Sequence, residues 1–374
     1  MTGFMKYSCF GCIILLAISV VQGQRQDYNQ SEIRRVGKRS MVPGMFIFGD
    51  SLIDNGNNND LLTFAWANYF PYGIDFLGGP TGRFSNGFTI VDQISEMLGL
   101  PLIPAHSEVS TNKVFRGVNY ASAAAGILDA TGMNFVSRIP FNRQIKNFAS
   151  TLDQVRRNSR TAVMAERIGS YIFFVGMGSN DYLNNYLMPD YPTKNQYNAF
   201  EYADLLIKQY RLQLISLYKL GARKFVISGL GSIGCIPSIR AQSPDGRCNK
   251  QANLLIEPFN ANAKAMINNL NVQLPGAKFI FIDIARLFDD LIDNAKIYGF
   301  SVTDEGCCGV GRNRGQLTCL PMETPCPNRD DYVFWDAFHP TQAVNVLFGK
   351  KAFNGDPRFV FPMNIHQLAL LPNI

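Results

Sequence analysis

Short apolar runs that alternate with helical patterns constrain the fold of this chain more than any other feature. Four such runs begin at Met45, Tyr171, Lys224 and Phe279, and each is four or five residues long. A strand without polar alternation is typical of a parallel sheet that helices cover on both faces. The alternation therefore predicts an α/β fold with a mainly parallel sheet.

Helical spacing of apolar residues fills the segments between these runs. No break in composition, linker or internal repeat interrupts the alternation, so we predict one domain over residues 41–374. A cysteine- and glycine-rich stretch at residues 303–328 is predicted to be a loop. The predicted helices span residues 86–98, 141–155, 202–220, 249–270 and 284–298, and a last one begins at Pro340.

The first 23 residues have the pattern of a secretory signal peptide. Lys6 provides a positive start, residues 9–21 are almost wholly apolar, and small residues precede the predicted cleavage point. A membrane anchor is the alternative, but 13 apolar residues fall short of the ~20 that span a bilayer. We therefore predict a secreted, extracellular protein without a transmembrane segment after cleavage, and a disordered basic lead-in over residues 24–40.

The formal net charge of +6 is concentrated near the amino terminus. Lys6 carries one positive charge and residues 24–39 carry a net three, which leaves +2 for the rest. A body so close to neutrality gives no charge signal for binding to a phosphate backbone, so we expect no nucleic-acid partner.

Six cysteines remain after the predicted leader, and an even number in a secreted chain predicts disulfide bonds. We expect Cys235 to pair with Cys248 and leave the pairing of the other four open. Zinc is the alternative for those four, although their spacing contains no C-x2-4-C pair. The N-x-S/T sequon at Asn29 makes it the predicted glycosylation site. The cysteines expected in disulfides are Cys235, Cys248, Cys307, Cys308, Cys319 and Cys326.

Ser51 is the candidate nucleophile. The apolar strand that begins at Met45 stops at Gly49, and the serine follows two residues later, ahead of a turn-like run of Asp, Asn and Gly. A serine just past the carboxyl end of a buried strand is where an α/β sheet exposes a nucleophile. The alternative is that Ser51 only caps the turn.

A nucleophilic serine needs a base, and the chain has three histidines, His106, His339 and His366. His339 follows Asp336 by three residues, so the carboxylate can fold back to the ring Nδ1–H and leave Nε2 free for Ser51. The alternative is an ordinary pair at a helix N-terminus. Together with the serine at the other end of the chain, the pair favours a Ser-His-Asp triad.

Two further blocks contain candidate oxyanion donors. Asn180 follows the strand that begins at Tyr171, and its side-chain amide can point at an oxyanion. The alternative is an ordinary turn asparagine. Residues 119–126 form a run of small side chains that ends at Gly126, for which the alternative is a tight packing loop.

Two patterns typical of other folds are weak or missing. Residues 229–234 match G-x-G-x-x-G after a strand, but Cys235 and Pro237 follow, whereas a dinucleotide site needs a helix to open there. We interpret these glycines as a structural turn. The sequence contains no G-x-S-x-G, so it lacks the nucleophile elbow of the α/β hydrolases.

Taken in order, these blocks resemble the plant-type GDSL esterase/lipase family of the SGNH hydrolases. Residues 49–52, Gly-Asp-Ser-Leu, match the nucleophile block of that family, and Asp54, Gly56 and Asn57 match its continuation. The resemblance covers residues 42–353. The other matching blocks are residues 82–87, 119–126, 178–181 and 336–341.

The resemblance implies a three-layer α/β/α fold with a flavodoxin-like sheet. It also implies hydrolysis of carboxylic esters without a metal or a cofactor. Ser51 would be the nucleophile, His339 the general base and Asp336 the carboxylate that orients the base.

The same resemblance implies an oxyanion hole. Its donors would be the backbone N–H groups of Ser51 and of a glycine in the small-residue block, with the side chain of Asn180. Many relatives carry paired glycines where this chain has Ala123 and Ala124. We therefore assign the glycine role to Gly126.

Two other functions remain compatible with these residues. An acyltransferase would pass the same acyl group to a sugar or lipid alcohol instead of water. A secreted binding protein on a hydrolase scaffold is the second, because fold does not fix function, although the complete triad argues against it. The 28 Phe and 15 Tyr are consistent with an apolar acyl pocket, and we expect a lipid or other small acyl ester as substrate.

Overall fold

Four parallel strands and one antiparallel strand form the central sheet of the computed structural model, which describes residues 40–109, 114–158 and 162–372. The strands, in chain order, are β1 (Met45–Gly49), β2 (Ile172–Gly176), β3 (Lys224–Ser228), β4 (Lys278–Ile282), β5 (Val302–Gly306), β6 (Tyr332–Phe334) and β7 (Val360–Phe361). The central sheet has the order β1-β2-β3-β4-β7, and β5 and β6 form a separate small sheet.

The central strands are buried because their apolar sequences leave no polar face for water. All of Met45–Gly49 is buried, as are the first four residues of β2 and of β3. Phenylalanines on adjacent strands pack against one another, and the rings of Phe225 and Phe279 stack with centroids 4.1 Å apart. The predicted parallel sheet is confirmed.

Helices cover the sheet and complete three layers. They are α1 (Ile90–Met97), α2 (Phe141–Arg157), α3 (Ala162–Glu166), α4 (Ser179–Asp181), α5 (Thr193–Gln196), α6 (Ala199–Lys219), α7 (Pro237–Arg240), α8 (Lys250–Gln273), α9 (Ile284–Asp293), α10 (Gln342–Asn354) and α11 (Ile365–Leu370). On one face α6 packs against α2 and α8, and on the other α10 packs against α1 and α11. This is the expected α/β/α arrangement.

The last long helix begins two residues later than its proline predicted. It starts at Gln342 rather than Pro340, because Thr341 is the N-cap and its hydroxyl accepts a hydrogen bond from the Val344 N–H at 3.5 Å. A capping hydroxyl satisfies a free N–H of the first turn, which proline cannot do.

The cysteine-rich stretch at 303–328 is not entirely a loop, because most of β5 lies within it. β5 pairs in parallel with β6 through Val302 with Tyr332 and Gly306 with Phe334. Its sequence, Val-Thr-Asp-Glu-Gly, has no apolar run, so the pattern that identified the central strands could not reveal it.

The six cysteines form three disulfides, and the predicted Cys235–Cys248 pair is one of them. The other pairs are Cys307–Cys326 and Cys308–Cys319. These four cysteines are fully or almost fully buried. Since their sulfurs bond to one another, the zinc alternative is not supported.

The four parallel strands end at the same level. Gly49 pairs with Gly176, Gly176 with Ser228, and Ser228 with Ile282. Asn119 adds a parallel bridge at the free edge of β1, opposite Ile47. The segments that follow β1, β2 and β3 therefore emerge along one edge of the sheet, where α/β folds bind ligands.

Three predictions concern residues outside the described ranges: the signal peptide over 1–23, all but the last residue of the lead-in over 24–40, and the glycosylation site Asn29. Residues Val42–Ile374 form one compact unit. Within the described ranges, no helix combines the length and apolar character needed to cross a bilayer.

Candidate active site

The carboxyl end of β1 carries Ser51 in a tight turn. The Asp54 N–H donates to the carbonyl oxygen of Asp50 at 2.9 Å, which bends the chain directly after the strand. Gly49 must lack a side chain, because a Cβ there would lie 2.6 Å from the carbonyl oxygen of Gly176. The turn holds Ser51 half-buried at the edge of the sheet.

Gln144 of α2 fixes the end of the same strand. Its side-chain oxygen accepts from the Gly49 N–H at 3.0 Å, and its side-chain amide donates to the Gly49 carbonyl at 2.8 Å. The amide also donates to the Ile139 carbonyl at 2.9 Å. Because this fully buried side chain is satisfied at both ends, it holds the strand end in one position.

Ser51, His339 and Asp336 lie in one line of hydrogen bonds. Ser51 Oγ is 2.8 Å from His339 Nε2, although 288 residues separate them. His339 Nδ1 is 2.8 Å from Asp336 Oδ1 and 2.9 Å from Oδ2. The structure thus brings together the three residues that the sequence suggested as a triad.

A turn between β6 and α10 orients the carboxylate. Asp336 Oδ1 accepts from the N–H groups of Phe338 and His339, both at 2.8 Å, and the Tyr72 hydroxyl donates to Oδ2 at 2.6 Å. Burial alone raises the pKa of Asp336, but His339, the Tyr72 hydroxyl and the Phe338 N–H outweigh it and hold the pKa below its ordinary value. Asp336 is therefore an ionised carboxylate beside the imidazole.

Asn180 belongs to α4, directly beyond β2, and lines the same pocket as Ser51 and His339. Its Nδ2 donates to the Ala125 carbonyl at 2.9 Å, and its Oδ1 accepts from Asn184 at 2.6 Å. These two bonds fix the amide plane. An amide nitrogen has two hydrogens, so one N–H remains after the bond to Ala125.

Gly126 lies away from this pocket. A Cβ there would lie 2.5 Å from Thr131 Cγ2 and 2.8 Å from Asp181 Oδ1. The side of Gly126 on which a side chain would lie is therefore occupied by these two residues. Ala123 and Ala124 line the pocket instead, and Gly126 is not part of the lining. Ala123 and Ala124 therefore border the site, whereas Gly126, to which we assigned the glycine role, does not.

Ala124 has an unusual backbone conformation at this point. Its φ is +63°, a left-handed value that favours glycine over alanine. The neighbouring Ala123 N–H donates to Asp54 Oδ2 at 2.9 Å, and the Ala125 N–H donates to the Ser122 carbonyl at 3.1 Å. Within the described part of the chain, the Ala124 N–H donates no hydrogen bond.

The pocket has mainly apolar walls. The residues after β3, among them Gly229, Gly231 and Leu230, form one wall. Gly229 packs closely on β4, because a Cβ there would lie 2.4 Å from the Phe281 ring. A single turn of 3-10 helix, Ile233–Cys235, follows the glycines, so the segment has no long helix whose N-terminus could hold a pyrophosphate.

Asp50 is a pocket residue that the sequence analysis did not single out. It is 2% exposed, and Oδ1 accepts from the Leu52 N–H at 3.0 Å. Burial raises the pKa of Asp50 to about 7, because the Leu52 N–H and the nearby His339 do not compensate for lost water. A lone acidic residue beside a serine carries no sequence signal for this effect, since the cause is the packing around it.

We expect Asp50→Asn to raise the free energy of unfolding at pH 8 and to leave it nearly unchanged at pH 4. The pKa of Asp50 is about 7 in the folded chain against an ordinary 3.8, so stability falls as the pH rises between these values. The asparagine cannot ionise and can keep the bond from Leu52. Above pH 7 the free energy of unfolding of Asp50→Asn should exceed that of the native protein by about 4 kcal/mol at most.

Urea unfolding at the two pH values measures this difference. A gain of the same size at pH 4 and pH 8 would contradict the account, because the effect would then come from packing rather than from ionisation.

Comparison with known proteins identifies relatives along nearly the whole chain. A family model described as GDSL-like Lipase/Acylhydrolase matches residues 45–352. A GDSL esterase/lipase of Arabidopsis thaliana is 63% identical over 332 residues, which are 88% of this chain and 86% of the relative. A second from the same plant is 47% identical over 372 residues, covering 96% of this chain and 98% of the relative.

A third Arabidopsis thaliana GDSL esterase/lipase is 44% identical over 372 residues, covering 98% of both proteins. Identity of this extent, together with a family model that spans the four parallel strands of the central sheet, establishes the relationship. The chain belongs to the GDSL-like lipase/acylhydrolase family, a family of carboxylic ester hydrolases, as the ordered blocks of its sequence indicated.

Proposed function

We propose that this protein is a secreted serine esterase that hydrolyses lipid or other acyl esters through a covalent acyl-enzyme on Ser51. One observation carries the proposal: an unbroken hydrogen-bond path from Ser51 Oγ to His339 Nε2 at 2.8 Å, and from His339 Nδ1 to Asp336 Oδ1 at 2.8 Å. A serine hydroxyl is a weak nucleophile until an adjacent base removes its proton.

In the first half of the reaction, Ser51 Oγ attacks the ester carbonyl while His339 Nε2 takes the serine proton. The imidazolium that forms is stabilised by the Asp336 carboxylate on its other nitrogen. His339 then gives the proton to the leaving alcohol, and the acyl group stays on Ser51.

In the second half, water attacks the acyl-enzyme and loses its proton to His339. The acid departs as the proton returns to Ser51 Oγ. The apolar walls of the pocket suit the acyl chain, because they remove its surface from water.

We assign three donors to the oxyanion: the backbone N–H groups of Ser51 and Ala124, and the side chain of Asn180. Ala124 replaces Gly126 in this role because Ala124 lines the pocket and its N–H is not used elsewhere among the described residues. Such donors lower the barrier because the negative charge appears on the oxygen only in the tetrahedral state.

Secretion is supported by the cysteine chemistry. Three disulfides, four of whose six cysteines are almost fully buried, are typical of a protein that matures in an oxidising compartment. The signal peptide predicted over residues 1–23 would direct the chain into the secretory pathway.

We expect Ser51→Ala, His339→Ala and the double variant to lose about the same activity. Triad members act as a unit, so removing a second member costs little once the first is gone. The measurement is kcat/KM on a panel of p-nitrophenyl esters. Losses that add in the double variant would contradict the triad.

His106→Ala is the matched control, because the His106 ring packs at a tilt against Tyr120, with ring centroids 5.0 Å apart, and no contact with Ser51 is found among the described residues. It should keep its activity. A fluorophosphonate probe should label the native protein and the His106→Ala variant, and should not label Ser51→Ala. Labelling of Ser51→Ala would show that another residue is the nucleophile.

We expect Asn180→Ala to lower kcat by about 10²–10³ with little change in KM, because the lost donor acts mainly on the transition state. Asn184→Ala removes only the donor to Asn180 Oδ1, so its effect should be smaller. Thermal unfolding of both variants controls for loss of structure. An unchanged kcat in Asn180→Ala would leave Asn180 as a turn residue only.

A further inference from the structure

Large apolar side chains point outward from the segment after the nucleophile turn. Leu62, Phe64 and Trp66 are 83%, 76% and 41% exposed, whereas the small side chains of Ala65 and Ala67 are buried. Folded proteins normally bury the large apolar residue of such an alternating pair and expose the small or polar one. The reversed order costs free energy in water unless an apolar partner covers it.

A second segment extends the same surface. The Phe64 N–H donates to the Phe135 carbonyl at 3.2 Å, which places residues 133–136 alongside. In that segment Met133 is 60% exposed and Val136 is 54% exposed. We call the five exposed side chains the apolar rim: Leu62, Phe64, Trp66, Met133 and Val136.

Charge is missing from the first rim segment. Residues 61–74 contain no Asp, Glu, Lys or Arg. Surfaces that face only water normally carry scattered charges, and an uncharged, exposed apolar patch marks a site of contact with another apolar body. Asp60 before the first segment and Arg138 after the second have opposite charges, so the rim is suited to a partner without a strong charge of its own.

The rim is continuous with the pocket. Phe64 and Trp66 belong to the rim and also line the pocket that Ser51 and His339 line. A body that covers the rim therefore also borders the pocket that contains Ser51. A small dissolved ester would fit inside the pocket and leave the rim uncovered, whereas the surface of a lipid droplet would cover both.

We propose that the apolar rim docks this enzyme on the surface of a condensed, uncharged lipid phase and that the ester enters the pocket from that phase. The proposal rests on the proposed function for the identity of the pocket. It adds that the physical form of the substrate is an aggregate rather than a dissolved molecule. The uncharged segment favours neutral esters over anionic lipids.

The test measures binding to emulsified triacylglycerol droplets by flotation, with Ser51→Ala so that no turnover occurs. The rim variant combines Leu62→Ser, Met133→Ser and Val136→Ser, because none of these three lines the pocket. The matched control is Val272→Ser. Val272 is 86% exposed near the end of α8, which precedes β4 and so lies at the opposite edge of the sheet.

The parent and Val272→Ser should float with the droplets, and the rim variant should bind at least about tenfold more weakly. Absence of binding by the parent, or equal binding by the rim variant, would overturn the proposal. A parent that is a dimer without lipid, and a rim variant that is a monomer, would assign the rim to self-association instead. The flotation assay needs no catalysis, so a negative result concerns lipid binding alone. Labelling by the fluorophosphonate probe tests the triad separately.

A different observation concerns Tyr72, from the loop between β1 and α1. It is 1% exposed, its hydroxyl donates to Asp336 Oδ2 at 2.6 Å, and Thr318 Oγ1 lies 3.2 Å away. Burial and the charge of Asp336 raise the pKa of Tyr72 well above its ordinary value. The phenol therefore keeps its proton and acts as a donor to the carboxylate.

We infer that Tyr72 is a positioning residue that holds Asp336 for the proposed triad. Asp336 Oδ2 lies 2.9 Å from His339 Nδ1, so the carboxylate oxygen held by the phenol also contacts the base. The phenol bond adds a restraint from a segment 264 residues away to the contacts within the turn itself.

The test is Tyr72→Phe, with kcat, KM and the pH profile as readouts. We expect kcat to fall about tenfold, the loss of one hydrogen bond to a charged group, with KM nearly unchanged. The acid limb of the profile should move to higher pH, because the Asp336 carboxylate is more basic without its phenol donor and the Asp336–His339 pair then holds its proton to higher pH. The other groups that face Asp336 are His339, Tyr69 and Thr318, and the variant leaves them in place.

Tyr332→Phe is the matched control. Tyr332 packs against the apolar cluster to which Tyr72 belongs, but its hydroxyl contacts Glu305 instead of the triad. It should change neither kcat nor the pH profile. If Tyr72→Phe lowers only the unfolding temperature and keeps kcat and the acid limb, Tyr72 has a structural role and the inference is wrong. Labelling of Ser51 by the phosphonate tests the triad separately.

Discussion

The common level at which the parallel strands end is the constraint on which this site depends. Gly49, Gly176 and Ser228 lie side by side in the register of β1, β2 and β3. Each strand then releases its chain at the same edge, so the turn with Ser51 and the short helix with Asn180 become neighbours. The helices matter to the site mainly because they hold this edge, as Gln144 does through both backbone groups of Gly49.

The segment with Asp336 and His339, on the other side of the site, does not follow a strand of the central sheet. His339 and Asp336 belong to a segment that closes on itself, since the Trp335 N–H donates to the His339 carbonyl at 2.8 Å. The buried disulfides Cys307–Cys326 and Cys308–Cys319 brace the polar loops around it. Their four cysteines belong to a buried apolar cluster with Tyr72, Phe84 and Trp335, so the cross-links and the apolar packing together support this segment.

Continuous apolar runs made the central sheet predictable, and the family blocks pointed to Ser51, Asp336, His339 and Asn180. Local patterns did not predict three other features. These are the pairing of four cysteines, the small β5–β6 sheet and the oxyanion role that we propose for Ala124. Tyr72 and Gln144 were missed because their roles arise from contacts across 264 and 95 residues, which no local pattern encodes. The positive φ of Ala124 is likewise a property of the folded loop, hidden behind a residue that normally avoids it.

The turn that carries both Asp336 and His339 has a mechanical consequence. Because the carboxylate accepts from the backbone of the residue whose ring it orients, the two side chains form one rigid body. A displacement of this turn relative to the turn that carries Ser51 would therefore change chiefly one distance, that between His339 Nε2 and Ser51 Oγ. In the proposed mechanism, a longer distance between these two atoms would interrupt proton transfer from Ser51, while Asp336 would still hold the His339 ring in its orientation.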